Sequence, residues 1–165
     1  MGTFKIEGGH RLKGEIHPQG AKNEALQILC TVLLTSEKVT INNIPDIIDV
    51  NKLITLLGNL GVKMQKNGPG SITFQADDVN VDYLASNEFH KKSARLRGSI
   101  MLVGPLLARF KKAYLPKPGG DKIGRRRLDT HIIGLQKLNA NIIYNDSGFV
   151  TLETRGAEGC LYVIG

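Results

Sequence analysis

Apolar and polar residues alternate twice within the first 16 positions, at Phe4 and Ile6 and again at Leu12, Gly14 and Ile16, the period-two rhythm of a strand. The rhythm then changes. In GAKNEALQILCTVLL, Ala25, Leu26, Ile28, Leu29, Val32 and Leu33 fall at helical spacing with little polar face left, which predicts a buried helix whose first turn carries Lys22 and Asn23. KVTIN follows as a short strand. Asp49 stands where it can cap a helix on which Val50, Leu53, Ile54, Leu57 and Leu60 form one apolar stripe, stopped by Gly61. Val62 and Met64, then Ile72, Phe74 and Ala76, alternate as two strands about the turn KNGPGS.

The same order runs again. GSIMLVGPLLARF reads as a second buried helix, with Leu106 and Leu107 answering Leu33 and Leu34 at an offset of 73. Downstream, Leu138-Asn139-Ala140 answers Leu60-Gly61-Val62 at an offset of 78, and Asn is the other residue that tolerates a left-handed helix stop. The pattern predicts an α/β fold of repeated βαβαββ-like units. The change of offset places about five extra residues between the two helices of the second copy, and a loop lengthened in one copy is a natural carrier of function. That loop holds KPGGDKIGRRRLDTH.

Composition narrows the class. The chain has 165 residues, 41% hydrophobic and 22% charged, which suits one compact unit or part of a larger one. No apolar run reaches membrane-spanning length, and the first ten residues have neither a basic leader nor an apolar signal core, so no membrane and a cytoplasmic location are expected. Cys30 and Cys160 read as plain thiols, and the four histidines show no metal spacing. Charge is concentrated: residues 91–127 hold twelve of the 22 Lys and Arg and a single acid, Asp121. An anionic partner is implied, either a nucleic acid or a small phosphorylated ligand.

The helix starts sharpen the choice. Lys22 and Asn23 open the first helix, and Arg95 and Arg97 hold roughly the matching place in the second copy. A basic side chain is mildly unfavourable beside the unpaired N–H groups of a helix start, a conflict that a bound anion relieves; the alternative is ordinary solvated residues. The loop lacks the Walker pattern, and no GxGxxG follows a strand. Gly119, Gly120 and Gly124 suit either a mobile loop over a site or a plain surface turn. Arg125, Arg126 and Arg127 are either a solvated run or paired donors to phosphate or carboxylate. Asp121, among cations, acts as an acid only if burial or a bound anion raises its pKa. Asp129 reads as the N-cap of a helix starting near Thr130.

GAKNEAL, LRGSIMLVGPLLARF and KPGGDKIGRRRLDTHIIGL, in this order and separation, resemble the enolpyruvyl transferase family. Within it they resemble the UDP-N-acetylglucosamine 1-carboxyvinyltransferases more than the EPSP synthases, which share the repeat. The resemblance covers essentially the whole chain. It implies an inside-out α/β barrel of βαβαββ units, here incomplete. Residues 1–21 would be opening strands that belong to the family's other domain. Residues 22–78 and 91–155 would be two units of the domain carrying the catalytic loop, with the third unit and the C-terminal domain of the same polypeptide missing.

The resemblance also implies roles. Lys22, Asn23 and Arg126 would bind phosphoenolpyruvate. Asn23, Arg97, Arg126, Arg127, Leu128, Asp129 and Thr130 would bind UDP-N-acetylglucosamine. No cofactor and no metal are implied. Asp121 stands where most of the family has the cysteine that protonates C3 of phosphoenolpyruvate, and Arg127 stands where proline is common. Two other readings compete. One is a basic nucleic-acid-binding module, weakened because only Phe110 and Tyr114 supply aromatic surface within the basic segment. The other is a fragment that is catalytically inactive alone.

Overall fold

The computed structural model describes residues 2–115, 128–144 and 150–155. Helix α1, Lys22–Thr31, continues through a 3₁₀ turn, Val32–Leu34, to strand β1, Lys38–Ile41. Helix α2, Ile48–Asn59, leads to the hairpin of β2, Lys63–Gly68, and β3, Ser71–Gln75. β3 lies between β1 and β2 and is antiparallel to both. A 3₁₀ turn, Val81–Ala85, and helix α3, Asn87–Ser93, join this unit to the next. The second unit repeats the first: a 3₁₀ turn, Arg97–Leu102, helix α4, Val103–Phe110, β4, Lys112–Leu115, α5, Asp129–Lys137, β5, Asn141–Tyr144, and β6, Val150–Glu153. Its sheet has the same order, β4-β6-β5.

Register gives the repeat its true spacing. Lys38 pairs with Gln75 and Lys112 with Glu153, so the first strands are 74 positions apart and the last strands 78. The insertion is therefore four residues, one fewer than the Leu106 and Leu107 match suggests. Helix stops repeat bond for bond: Val62 N–H donates to Leu57 O at 3.1 Å and Ala140 N–H to Leu135 O at 3.0 Å. Between these bonds Gly61 (φ 94°) and Asn139 (φ 62°) take the left-handed conformation. Each unit is αβαββ among the described residues, without the leading strand of the expected βαβαββ.

One core serves both units. Leu29, Leu33, Leu53, Leu57 and Phe74 of the first unit and Leu102, Leu106 and Leu152 of the second are essentially inaccessible and belong to a single cluster. The stripe expected on α2 is buried, with Leu56 added and Ile54 only partly covered. In β3 the period-two pattern buries Ile72 and Phe74 against the helices and leaves Ser71, Thr73 and Gln75 half-buried.

Three expectations need correction. Residues 2–21 form neither helix nor strand, and Phe4, Ile6, Leu12 and Ile16 are each at least 88% exposed. Alternation alone does not make a strand, which needs a neighbouring backbone to bond and an apolar layer to cover. GSIMLVGPLLARF is not one helix. Pro105 has no N–H for the carbonyl of Met101, so the α-helix begins at Val103, with the proline in its first turn and a 3₁₀ turn before it. Asp49 and Asp129 are not caps: the caps are Ile47 and Leu128, and both carboxylates sit inside the first turn.

Arg109 ties the units together. Its Nη1 donates to the carbonyls of Leu33 (3.1 Å), Thr35 (2.8 Å) and Ala76 (2.8 Å), which are ends of first-unit elements, and its guanidinium lies 4.9 Å from the Phe110 ring centroid. Replacing it by alanine leaves three carbonyls without this donor. Urea denaturation of Arg109→Ala is expected to show a loss of about 3 kcal/mol, with Arg109→Lys recovering only part of it.

His90 joins α3 to β4. It is buried, 6.0 Å from the Phe89 ring and 6.1 Å from that of Tyr114. Burial lowers its pKa below the ordinary 6.5, against a smaller raising effect from a hydrogen bond to the Leu84 backbone. The unfolded chain takes up this proton first as pH falls, so the His90 contribution is complete above 6.5 and shrinks as pH drops below it. Stability measured from pH 8 to 5 should fall more steeply in the wild type than in His90→Phe.

Candidate functional site

A cleft of about 800 Å³ opens where the N-terminal ends of α1, α2, the 3₁₀ turn Arg97–Leu102 and α5 meet. Lys22, Asn23 and Gln27 of α1 line it, with Asp49 and Lys52 of α2, Arg95 and Arg97 at the 3₁₀ turn, and Leu128 and His131 of α5. Convergence follows from packing. α1 lies against both α2 and the 3₁₀ turn, and Gly98 makes the second contact possible: a Cβ there would stand 3.0 Å from Leu26 Cδ1.

Each helix start brings unpaired backbone N–H groups and a partial positive charge. No side chain caps α1, α2, the 3₁₀ turn or α5. Among the described residues four cations, Lys22, Lys52, Arg95 and Arg97, share the lining with one carboxylate, Asp49. That carboxylate is divided: Lys22 Nζ is 3.1 Å from Oδ2 and Lys52 Nζ 3.7 Å from Oδ1. All three side chains keep between 35% and 48% of their exposure, so the pairs are worth little to stability and are free to exchange for a ligand. The arrangement is that of a receptor for a compound with more than one anionic group.

Of the residues singled out from sequence, Lys22, Asn23, Arg97 and Leu128 come together in the cleft. Asp129 and Thr130 are exposed at the start of α5, next to Leu128, and do not line it. Asp121, Arg126 and Arg127 lie outside the described residues. Asp49, Lys52 and His131 were not read as site residues. Asp49 had been assigned the competing role of a cap, and Lys52 faces the cleft only through the placement of α2. Cys30, on the buried face of α1, donates to the Leu26 carbonyl, and burial pushes its thiol up to about 12. Among the described residues no group of His, Cys, Asp and Glu is suited to hold a metal, and no helix is long and apolar enough to cross a membrane.

Among its described residues the basic segment is not a continuous binding face. Lys92 pairs with Glu88 at 2.6 Å, Lys112 lies 3.8 Å from Glu153, and Arg109 is spent on three carbonyls. Among the described cations of the segment, those at a concave surface are Arg95 and Arg97. This favours a small anionic ligand over a polymer.

A sequence profile of the EPSP synthase (3-phosphoshikimate 1-carboxyvinyltransferase) family matches residues 6–161. The chain belongs to this family. It is 62% identical over 146 residues to a UDP-N-acetylglucosamine 1-carboxyvinyltransferase of Bacteroides fragilis, a match covering 88% of this chain and 34% of the relative. The enzymes of the same name from Bacteroides thetaiotaomicron and Porphyromonas gingivalis are 60% and 59% identical over 147 and 145 residues, covering 89% and 88% of this chain. The chain thus spans about a third of the length of these curated relatives. In three dimensions it is similar to the enolpyruvyl transferase NikO from Streptomyces tendae, with a TM-score of 0.68 at 22% identity over 90% of this chain and 31% of that one. The two αβαββ units are accordingly part of the repeated fold of the EPSP synthase family, with no closed barrel among the described residues.

Within this family fold the start of α1 depends on Gly20. A Cβ on Gly20 would run into the Asn43 carbonyl and crowd Pro45, so any side chain displaces the segment that aims Lys22 and Asn23. Gly20→Ala is expected to weaken binding of a small multiply charged anion such as pyrophosphate by at least about tenfold while leaving the far-UV circular dichroism of the helices unchanged. Titration by isothermal calorimetry beside the wild type measures it.

Proposed function

We propose that the polypeptide to which these residues belong transfers the enolpyruvyl group of phosphoenolpyruvate to the 3-hydroxyl of UDP-N-acetylglucosamine and releases phosphate, the committed step of peptidoglycan synthesis, in the cytoplasm. The observation that carries the reading is the cleft in which Lys22, Asn23 and Arg97 gather at uncapped helix starts. The high identity to three enzymes of that name supports this acceptor over shikimate 3-phosphate.

The chemistry asks for what the cleft and the loop supply. The sugar oxygen adds to C2 of phosphoenolpyruvate while C3 takes a proton, giving a tetrahedral intermediate that still carries a carboxylate and phosphates. C3 then returns a proton, the C2–O bond to phosphate breaks, and the double bond is restored. Lys22, Asn23 and Arg126 hold phosphoenolpyruvate. Asn23, Arg97, Arg126 and Arg127 hold the nucleotide sugar with the stretch Leu128, Asp129 and Thr130. Fixed cations stabilise the intermediate because they need no reorganisation when charge develops. Asp121 is the proton donor at C3, its carboxyl kept protonated by the anionic substrates beside it. The 165 residues alone do not turn over, because the base for the sugar hydroxyl belongs to the remaining length of the family fold.

A carboxylate is a poor nucleophile toward an epoxide, so fosfomycin does not label this loop, unlike the thiol found at this position in most of the family. Phosphate release is measured on the polypeptide carrying these residues at the family's full length, with phosphoenolpyruvate and either UDP-N-acetylglucosamine or shikimate 3-phosphate. Turnover is expected with the nucleotide sugar alone, falling by about 10²–10⁴ in Asp121→Asn. Asp121→Cys gains covalent fosfomycin, read by mass spectrometry. Turnover with shikimate 3-phosphate, or rapid labelling of the wild type at this loop, overturns the assignment.

A further inference from the structure

We infer that Lys52 is a positioning residue: it takes over the Asp49 carboxylate when Lys22 leaves it for the substrate anion. The inference rests on the reading of Lys22 as an anion-binding residue and concerns a side chain to which that reading gives no part.

The geometry is a carboxylate with one oxygen for each lysine. Lys22 Nζ sits 3.1 Å from Asp49 Oδ2, within hydrogen-bond reach, whereas Lys52 Nζ stands 3.7 Å from Oδ1, close enough to attract but not bonded. Lys22 comes from α1 and is 27 positions from Asp49, so this pair spans the cleft; Lys52 is three positions along α2 from Asp49, so that pair stays on one helix whatever happens across the cleft. All three residues line the same cleft.

A cation that must bind an anion is handicapped by an existing partner. If Lys22 alone neutralised Asp49, an incoming anion would have to break that pair and would then lie beside an uncompensated carboxylate. With Lys52 already at 3.7 Å, a small rotamer change closes the second pair as the first opens, and the charge beside the ligand stays balanced. The exchange costs little because both lysines are about half-exposed and neither pair is desolvated. Asp49 therefore acts as a parking place for the Lys22 ammonium, and Lys52 determines how readily it is vacated.

Direct attraction of the ligand by Lys52 would also make it matter, and a double-mutant cycle separates the two. Phosphoenolpyruvate binding is measured by calorimetry for wild type, Lys52→Met, Asp49→Asn and the double variant, with Lys52→Arg as the charge-conserving control. Lys52→Met is expected to weaken binding about threefold to fivefold, Lys52→Arg to restore it, and the Lys52→Met effect to vanish in the Asp49→Asn background. The same loss in both backgrounds overturns the inference in favour of direct attraction, and no loss in either overturns it outright. A second readout needs no ligand: the rate at which Lys22 is acylated, followed by mass spectrometry. Lys52→Met should slow it, because Lys22 is then the sole partner of Asp49, and an unchanged rate sinks the exchange. A wild type that fails to bind phosphoenolpyruvate, with Lys22 acylation still slowed, overturns the functional reading while leaving the exchange standing.

Discussion

Four helical starts pointing into one cleft is the constraint on which the rest of this structure depends. Each leaves its first N–H groups without intrahelical partners, and none is capped by a side chain. Adding Lys22, Lys52, Arg95 and Arg97 to those ends makes a region that the fold alone disfavours, since like charges gather where the helix dipoles already point their positive ends. One carboxylate, Asp49, cannot offset this. The imbalance is tolerated because the cleft is open to water, and it is useful because an anion with several charged groups relieves all of it at once.

Holding those ends together falls to contacts remote from the cleft. The shared core runs through both units without a break, from Leu29 and Phe74 to Leu106 and Leu152. Arg109 then bonds, from the second unit's helix, three carbonyls at the ends of two first-unit segments, the 3₁₀ turn after α1 and strand β3. A charged side chain in that position fixes direction as well as distance, because three acceptors must meet one nitrogen. The two units are thereby locked in one mutual orientation, and the angle between α1 and the 3₁₀ turn at Arg97 follows from it. Gly98, pressed against Leu26, sets how close they come.

Much of this was legible in the chain. Periodicity located α1, α2 and the three strands of the first unit to within a few residues, and the match of Leu60-Gly61-Val62 to Leu138-Asn139-Ala140 marked two helix stops that share their hydrogen bonds. What escaped was whatever depends on distant neighbours. The alternation at Phe4–Ile16 carries a strand's pattern but pairs with no strand among the described residues, and pattern does not supply a partner. Pro105 was visible, yet its effect, a 3₁₀ turn before the helix, was hidden by a run of apolar residues that suits either geometry. At the site, Lys22, Asn23 and Arg97 stood out because basic residues at helix starts conflict with local preference. Asp49 and Lys52 conflict with nothing locally: an acid in a helix's first turn and a lysine three positions later are ordinary surface choices, and only the placement of α1 gives them meaning.

The cleft belongs to neither unit. The first contributes Lys22, Asn23, Asp49 and Lys52; the second contributes Arg95, Arg97, Leu128 and His131. Duplicating an αβαββ unit duplicates its helix starts, and packing two copies on one core brings those starts face to face. A basin of positive potential is therefore a by-product of the repeat, present before any particular ligand is specified. Specificity then has to come from the places where the copies differ. The largest is the four-residue excess between β4 and α5, which leaves α5 nine residues long against twelve in α2. Leu128, at the start of α5, lies on the wall of the cleft. What the two copies share accounts for the positive potential of the cleft, and it cannot by itself tell one anion from another.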